Sequence, residues 1–311
     1  MLTKNTLAFI HRTYNSVAED SQSIDLIDIL QEIHTRLLEY DVPQEDAREF
    51  DTFLRNIERS IHIRKTTFDI TSFMCNITLT LLYIAVWANE CKNLGIDINY
   101  KLRRKSLESE LTKALRKSSI RDMFGIRGIL LNKNSKDDSV ETKKLLALSE
   151  LVEDIFTQSR LNTKNTYYEF YEWVQKNSEF NYNAINMILQ TPFKLETTKD
   201  YITNPKPNNY MSLHLILAVE VFSDFYPGFE FELQFRTHKM HQEAENGKAN
   251  HDTYKEDSID DEIKKVFTID DISKANIVGL SSYKSPEDDI DGLHYAKTIY
   301  NRRVKGSLII L

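Results

Sequence analysis

A chain of 311 residues, 41% hydrophobic and 28% charged, can build one large core or two modest ones and has the balance of a water-soluble fold. Its formal net charge of -7 excludes a global positive field that would draw nucleic acid or an anionic membrane, so any anion site must come from local clustering. Only 8 glycines are present, and neither G-x-x-x-x-G-K-[ST] nor G-x-G-x-x-G occurs, which argues against a glycine-rich phosphate cradle.

The N-terminal stretch "MLTKNTLAFIHRTYN" lacks a long apolar run and a small-residue cleavage site, so no signal peptide is expected. Leu26, Ile27, Ile29, Leu30, Ile33, Leu37 and Leu38 form a helical stripe. Pro43 sits where a further helix would begin, with Phe50, Phe53, Leu54, Ile57 and Ile61 along its apolar face. Ile70 to Ala88 is nineteen residues without a charge, nearly enough to cross a bilayer. It also carries Thr71, Ser72, Asn76, Thr78 and Thr80, so we read it as a buried helix over 71–93, at the centre of a helical bundle and capped by Gly95. No membrane association is expected. Cys75 and Cys91 lie on that same helix, too far apart to bridge, and two lone thiols suit a reducing compartment.

After Ile98 the character changes. Lys101 to Arg127 holds nine basic residues and three acidic ones, and a short strand, "IRGILL", follows. A helix is expected near 140–159, with Leu145, Leu146, Leu148, Leu151, Val152 and Ile155 facing inward. Residues 160–190, rich in Asn, Tyr and Phe, carry no clear period. The polar loop "KDYITNPKPNNYMSLH" then runs into strands near 211–223 and 229–236, joined through "FYPG". A helix starts at about His238, and the region from Glu256 is acidic.

Alternation sorts the two strands into faces. In "FEFELQFR" Phe229, Phe231, Leu233 and Phe235 share one side, and Glu230, Glu232, Gln234 and Arg236 the other. In "SLHLILAVEV" His214, Ile216, Ala218 and Glu220 oppose Leu213, Leu215, Leu217, Val219 and Val221. By themselves the polar faces read as solvated, as on many antiparallel sheets.

Four segments change that reading: "RRKSLESELTKALRK", "IRDMFGIRGILL", "KDYITNPKPNNYMSLH" and "FELQFRTHKMHQEAENGKANHDTYK". In order and relative spacing they resemble the RelA/SpoT nucleotide pyrophosphokinase family, over about residues 99–255. The resemblance implies an α/β synthetase domain of nucleotidyltransferase type, a mixed β-sheet flanked by helices. It implies transfer of the β,γ-diphosphate of ATP to the 3′-hydroxyl of GDP or GTP, yielding ppGpp or pppGpp and AMP, with Mg²⁺ as cofactor.

By the same resemblance, Asp122 and Glu232 match the metal-binding acidic residues, and Glu232 also matches the group that acts on the attacking hydroxyl. Arg103, Lys105 and Lys113 match ATP-binding positions, and Arg127 is expected to face a phosphate or pin its strand. Lys206, Asn208, Tyr210, His214, Gln234 and Arg236 match the guanosine acceptor site, with Tyr210 stacked on the base and His214 near the acceptor phosphates. Pro205 and Pro207 would stiffen the loop that presents them. Asn209 stands where the family usually has glycine before the tyrosine, and Asn tolerates left-handed backbone angles better than most residues.

We therefore expect a helical extension over 1–98, a synthetase domain over 99–255 and an acidic extension over 256–311. The first part shows no His-Asp dipeptide, so no alarmone hydrolysis is expected, and the chain reads as a stand-alone cytoplasmic synthetase able to form homo-oligomers. An alternative is a toxic small alarmone synthetase, of the toxin–antitoxin kind, acting on the 3′ end of tRNA. Lys101, Arg104, Arg116 and Lys117 would then grip the acceptor stem. A third reading is a non-catalytic nucleotide sensor.

Overall fold

The computed structural model describes residues 2–19, 26–40, 42–65, 67–105, 107–116, 123–131, 138–158, 166–177, 182–223, 226–247 and 290–291. They form two compact units. Among the described residues, the first holds those between 2 and 67 and between 105 and 123, and the second those between 68 and 104, between 124 and 247, and 290–291.

In the first unit, helices α1 (Lys4–Glu19), α2 (Leu26–Glu39) and α3 (Gln44–Lys65) pack with α5 (Leu107–Arg116). The expected stripe is the seam: Leu26, Ile29, Leu30, Ile33 and Leu37 meet Phe50, Phe53, Leu54 and Ile57 in one buried cluster. Leu111, Ala114 and Leu115 of α5 join it. The Pro43 carbonyl accepts from Ala47 N at 3.2 Å, opening α3 where the sequence places it. Buried Asp46, in the first turn of α3, binds the amide and hydroxyl of Thr3 and the hydroxyl of Thr6, tying α1 to α3.

The second unit is a mixed sheet. Its strands are β1 (Ile98–Arg104), β2 (Phe124–Leu130), β3 (Phe193–Asp200), β4 (Leu213–Ser223), β5 (Tyr226–Arg236) and β6 (Ile290–Asp291), in the order β3-β4-β5-β2-β1-β6. Only β2 and β5 run parallel; the other described pairs are antiparallel. Around it lie α4 (Thr67–Lys92), α6 (Asp138–Thr157), α7 (Thr166–Lys176), α8 (Tyr182–Gln190) and α9 (His238–Asn246).

The helix α4, which contains the uncharged run from Ile70 to Ala88, does not centre the helical bundle. From Phe68 onward it belongs to the sheet unit, where Phe73 packs edge-on to Phe229 at 5.8 Å and Trp87 meets Phe170 at 5.5 Å. An apolar sheet face on one side and α7 on another bury it from several directions, which is why it shows no polar stripe. Asn93 (φ +53°), rather than Gly95, is the left-handed residue directly after its last turn, although Gly95 is left-handed too (φ +61°). Cys75 is buried, with its thiol pushed up to about 12 by burial, and Cys91 is exposed; both are free. No helix among the described residues is long and apolar enough to cross a membrane.

Three elements depart from the sequence reading. The basic segment after Ile98 begins as strand β1, with Tyr100 and Leu102 buried and Lys101 and Arg103 on the other side. The region without a clear period holds α7 and α8, followed by an unanticipated edge strand, β3. The strand β5 starts at Tyr226, so the expected "FYPG" turn is mostly strand, with Pro227 paired to Val221. Proline is tolerated there because β2 pairs with β5 only from Phe231 onward, so no ladder bond on that side needs its missing N–H.

Candidate active site

The polar loop between β3 and β4 is built from its own side chains. Asp200 Oδ1 accepts from the amides of Ile202 (2.8 Å) and Thr203 (2.9 Å), and its Oδ2 accepts from the Thr203 hydroxyl at 2.6 Å. The Thr203 hydroxyl bond is the main reason the Asp200 carboxyl lies below the usual carboxylate range. Asn209 N donates to Lys206 O at 2.8 Å and Lys206 N to Tyr210 O at 3.2 Å, closing a tight turn. Asn209 takes φ +60°, a left-handed angle that Asn tolerates better than most residues. The Lys206 ammonium lies 4.6 Å from the Tyr201 ring centroid and 4.7 Å from that of Tyr210.

The loop delivers Tyr210 to the polar face of the sheet, where hydrogen bonds run in a determined direction. Arg236 Nη2 can only donate, and it reaches the Tyr210 hydroxyl at 2.6 Å. The hydroxyl also lies 3.1 Å from His214 Nε2. A carboxylate only accepts, so His214 Nδ1 donates to Glu232 Oε1 at 2.7 Å. Gln234 Nε2 donates to Glu232 Oε2 at 2.6 Å, while Gln234 Oε1 accepts from Arg236 Nη2 (3.2 Å) and Arg127 Nε (3.4 Å). Glu232 Oε1 thus accepts from a partner on β4 and Oε2 from one on its own strand, and the carboxylate is buried.

Sheet register extends the site. Lys199, His214, Gln234, Arg127 and Lys101 stand in one row across five strands. In the next row Ile216, Glu232, Gly125 and Arg103 follow one another. Gly125 leaves a gap between acid and base, which two strand spacings hold about 10 Å apart. A methyl there would come 3.2 Å from the Glu232 carbonyl oxygen. On the side of the Arg127 row, α9 adds Glu245, whose Oε1 lies 3.0 Å from Arg127 Nη1 and 3.4 Å from Arg236 Nη1.

A carboxylate is thus held between a histidine and a glutamine, beside a basic row and a lysine–tyrosine loop. The sequence pattern of the family described as "Region found in RelA / SpoT proteins" matches residues 96–259. The chain belongs to the RelA/SpoT family. Among RelA/SpoT relatives, the GTP pyrophosphokinase of Haemophilus influenzae is 40% identical over 77 residues, 24% of this chain and 9% of that protein. The GTP pyrophosphokinase of Escherichia coli (strain K12) is 45% identical over 57 residues, 18% of this chain and 7% of the relative. A guanosine-3′,5′-bis(diphosphate) 3′-pyrophosphohydrolase of Aquifex aeolicus is 47% identical over 58 residues, 19% and 8% of the two chains. The chain therefore spans less than a tenth of the length of each of these relatives. Two solved structures from Bacillus subtilis are similar. Small alarmone synthetase 2 is 20% identical (TM-score 0.35; 70% of this chain, 98% of that one). Small alarmone synthetase 1 is 14% identical (TM-score 0.38; 71% and 96%).

Of the residues the RelA/SpoT resemblance singled out, Glu232, His214, Tyr210, Gln234, Arg236 and Arg127 form one hydrogen-bonded network. Lys206 and Asn208 stand in the adjoining loop, Asn208 Oδ1 accepting from Tyr210 N at 3.3 Å. Arg103 shares the Glu232 row, whereas Lys105 and Lys113 belong to the helical unit. Asp122 and Lys117 lie outside the described residues, as do the side chains of Arg104 and Arg116. Tyr210 is 6% exposed, with the Arg236 guanidinium 5.0 Å from its ring centroid. Glu232 fits a hard cation such as Mg²⁺, which needs one or two carboxylates and draws its other oxygens from phosphates and water.

Three participants escaped the sequence reading. Tyr201 packs edge-on against His214 at 5.2 Å and Tyr210 at 6.1 Å. His241 and Glu245, four residues apart on α9, meet at 3.6 Å. Their i,i+4 spacing on a helix was a legible signal; that the same face lies over Arg127 was not.

Proposed function

We propose that the chain transfers a diphosphate group from ATP to the 3′-hydroxyl of a guanosine nucleotide. The observation that carries this reading is the Glu232 carboxylate, buried yet held at both oxygens, beside a basic row and a loop that presents Lys206. In the reaction the 3′-oxygen attacks the β-phosphorus of ATP, the bond from that phosphorus to the α-phosphate oxygen breaks, and AMP leaves. Glu232 accepts the hydroxyl proton. His214 and Gln234 keep the carboxylate aimed, while Arg127 and Arg103 supply charge for phosphate oxygens. By the family resemblance Lys105 and Lys113 are ATP-binding positions, and Lys206, Asn208 and Tyr210 take the guanosine. Asp122 and Glu232 would hold Mg²⁺, which when bound withdraws charge from the phosphate oxygens.

The test uses the full chain, ATP labelled at its γ-phosphate and Mg²⁺, with GDP, GTP or deacylated tRNA as acceptor. Label is expected on the guanosine nucleotides. Label on tRNA alone would replace the acceptor with the toxic-synthetase reading, and no transfer at all would leave a nucleotide sensor. Glu232→Gln keeps the shape but not the basicity, and transfer should fall by about 10²–10⁴-fold, the usual contribution of a positioned base.

A further inference from the structure

Glu245 is an odd residue for its place. It sits in the last turn of α9, where the helix dipole disfavours a negative charge, and no basic residue in that turn offsets it. Its side chain is 45% exposed, yet its Oε1 reaches two guanidinium groups whose side chains are only 9% (Arg127) and 3% (Arg236) exposed. That one oxygen also faces His241 Nδ1 at 3.6 Å. Tight charge-assisted pairs are nearer 2.7–2.9 Å, as a rule of thumb of about that range. At 3.0, 3.4 and 3.6 Å, one carboxylate oxygen is shared among three nitrogens, of which the two guanidinium groups donate to it.

Two buried nitrogens retain capacity: Arg236 Nε has no hydrogen-bond partner among the described residues, and neither has His241 Nδ1. Lys101 adjoins Arg127 in the sheet row and, with both arginines, adds positive charge at His241. A terminal phosphate offers three oxygens spread over a tetrahedron, which suits converging guanidinium groups better than one shared carboxylate oxygen does. Glu245 is the partner closest to solvent, so an incoming anion meets it first.

We propose that Glu245 is a resident anion: it occupies the Arg127–Arg236 pair in the unliganded protein and yields that place to a phosphate oxygen of the nucleotide. This deepens, and rests on, the nucleotide reading of the same site. Glu245 is then a positioning residue that sets the threshold for phosphate binding. It keeps two buried charges paired while the site waits, and it raises the concentration at which phosphates enter.

Inorganic pyrophosphate, titrated calorimetrically into the full chain without ATP, tests this independently of turnover. Glu245→Gln should tighten the pyrophosphate Kd about tenfold, which corresponds to about 1.4 kcal/mol. Glu243→Gln makes the same charge change on an exposed neighbour and should shift the Kd less than twofold, because solvent and salt screen it. Equal tightening by both variants, or none with Glu245→Gln, overturns the proposal. The unmodified chain gives a second readout that needs no variant: saturating pyrophosphate should move the His241 ring resonances as the Glu245 oxygen departs. Unmoved His241 signals at saturation would also overturn it. If pyrophosphate behaves as expected but no diphosphate transfer is found, the transfer reading fails, while nucleotide-phosphate binding at this site and the role of Glu245 stand. If transfer is found and the Kd is unchanged by Glu245→Gln, only this one fails.

Discussion

Tyr210→Phe separates a ring from a hydroxyl. The ring remains for any base to stack on, but Arg236 Nη2 loses its 2.6 Å acceptor and His214 Nε2 its 3.1 Å donor. Both partners are buried, so water does not readily replace the hydroxyl. A deserted charged donor costs roughly 1.5–3 kcal/mol and a neutral acceptor about 1 kcal/mol. Arg236 Nη2 keeps its bond to Gln234, which offsets part of this. We expect a net loss of about 2 kcal/mol, seen by calorimetry as a melting midpoint lower by about 4–8 °C for a unit of this size. The hydroxyl also steadies the His214 ring that donates to Glu232, so its loss should loosen the carboxylate. In the ATP-to-GDP transfer assay kcat should fall about tenfold, roughly 1.4 kcal/mol of barrier, while the acceptor KM rises less than about threefold. Nitrogen NMR should show the proton on His214 Nδ1 before and after the substitution, because the Glu232 carboxylate only accepts. A tenfold rise in KM at unchanged kcat would refute the coupling of Tyr210 through His214 to Glu232.

Gly128→Ala tests the other side of the sheet. The new methyl would lie 2.9 Å from Tyr100 Cε1, 3.0 Å from Ile98 Cδ1 and 3.1 Å from Phe235 Cδ1, so chemical denaturation should show a loss of about 1–3 kcal/mol. His241 makes stability pH-dependent. Burial, reinforced by Arg127, Arg236 and Lys101 against the opposing pull of Glu245, brings its pKa down from 6.5 to about 4. The unfolded chain therefore takes up a proton that the folded chain refuses, and stability present above about pH 6.5 is lost as pH falls toward 4. His241→Gln should flatten that part of the stability–pH curve, and an unchanged slope would show that the burial is not felt.

The pattern of "FEFELQFR" was enough to put Glu232, Gln234 and Arg236 on one side of a strand, because side-chain direction follows a period of two whatever the strand packs against. The stripe from Leu26 to Leu37 likewise fixed the seam of the helical unit, and Asn209 announced a left-handed turn that the backbone adopts. Strand β1 carried its own alternation too, but a cluster of basic residues masked it, and β3 lies at an edge where half-exposed positions blur the period. What the chain could not declare locally is which distant segments lie side by side. Parallel pairing of β2 with β5 sets Arg127 beside Gln234 and Gly125 beside Glu232, although a hundred residues separate them. The partner of α4 and the carboxylate of Glu245 over two buried arginines were settled the same way. Periodicity tells a side chain which way to point, whereas its neighbour is chosen by the burial and hydrogen-bond pairing of the whole sheet, and that choice exists only once the chain has folded.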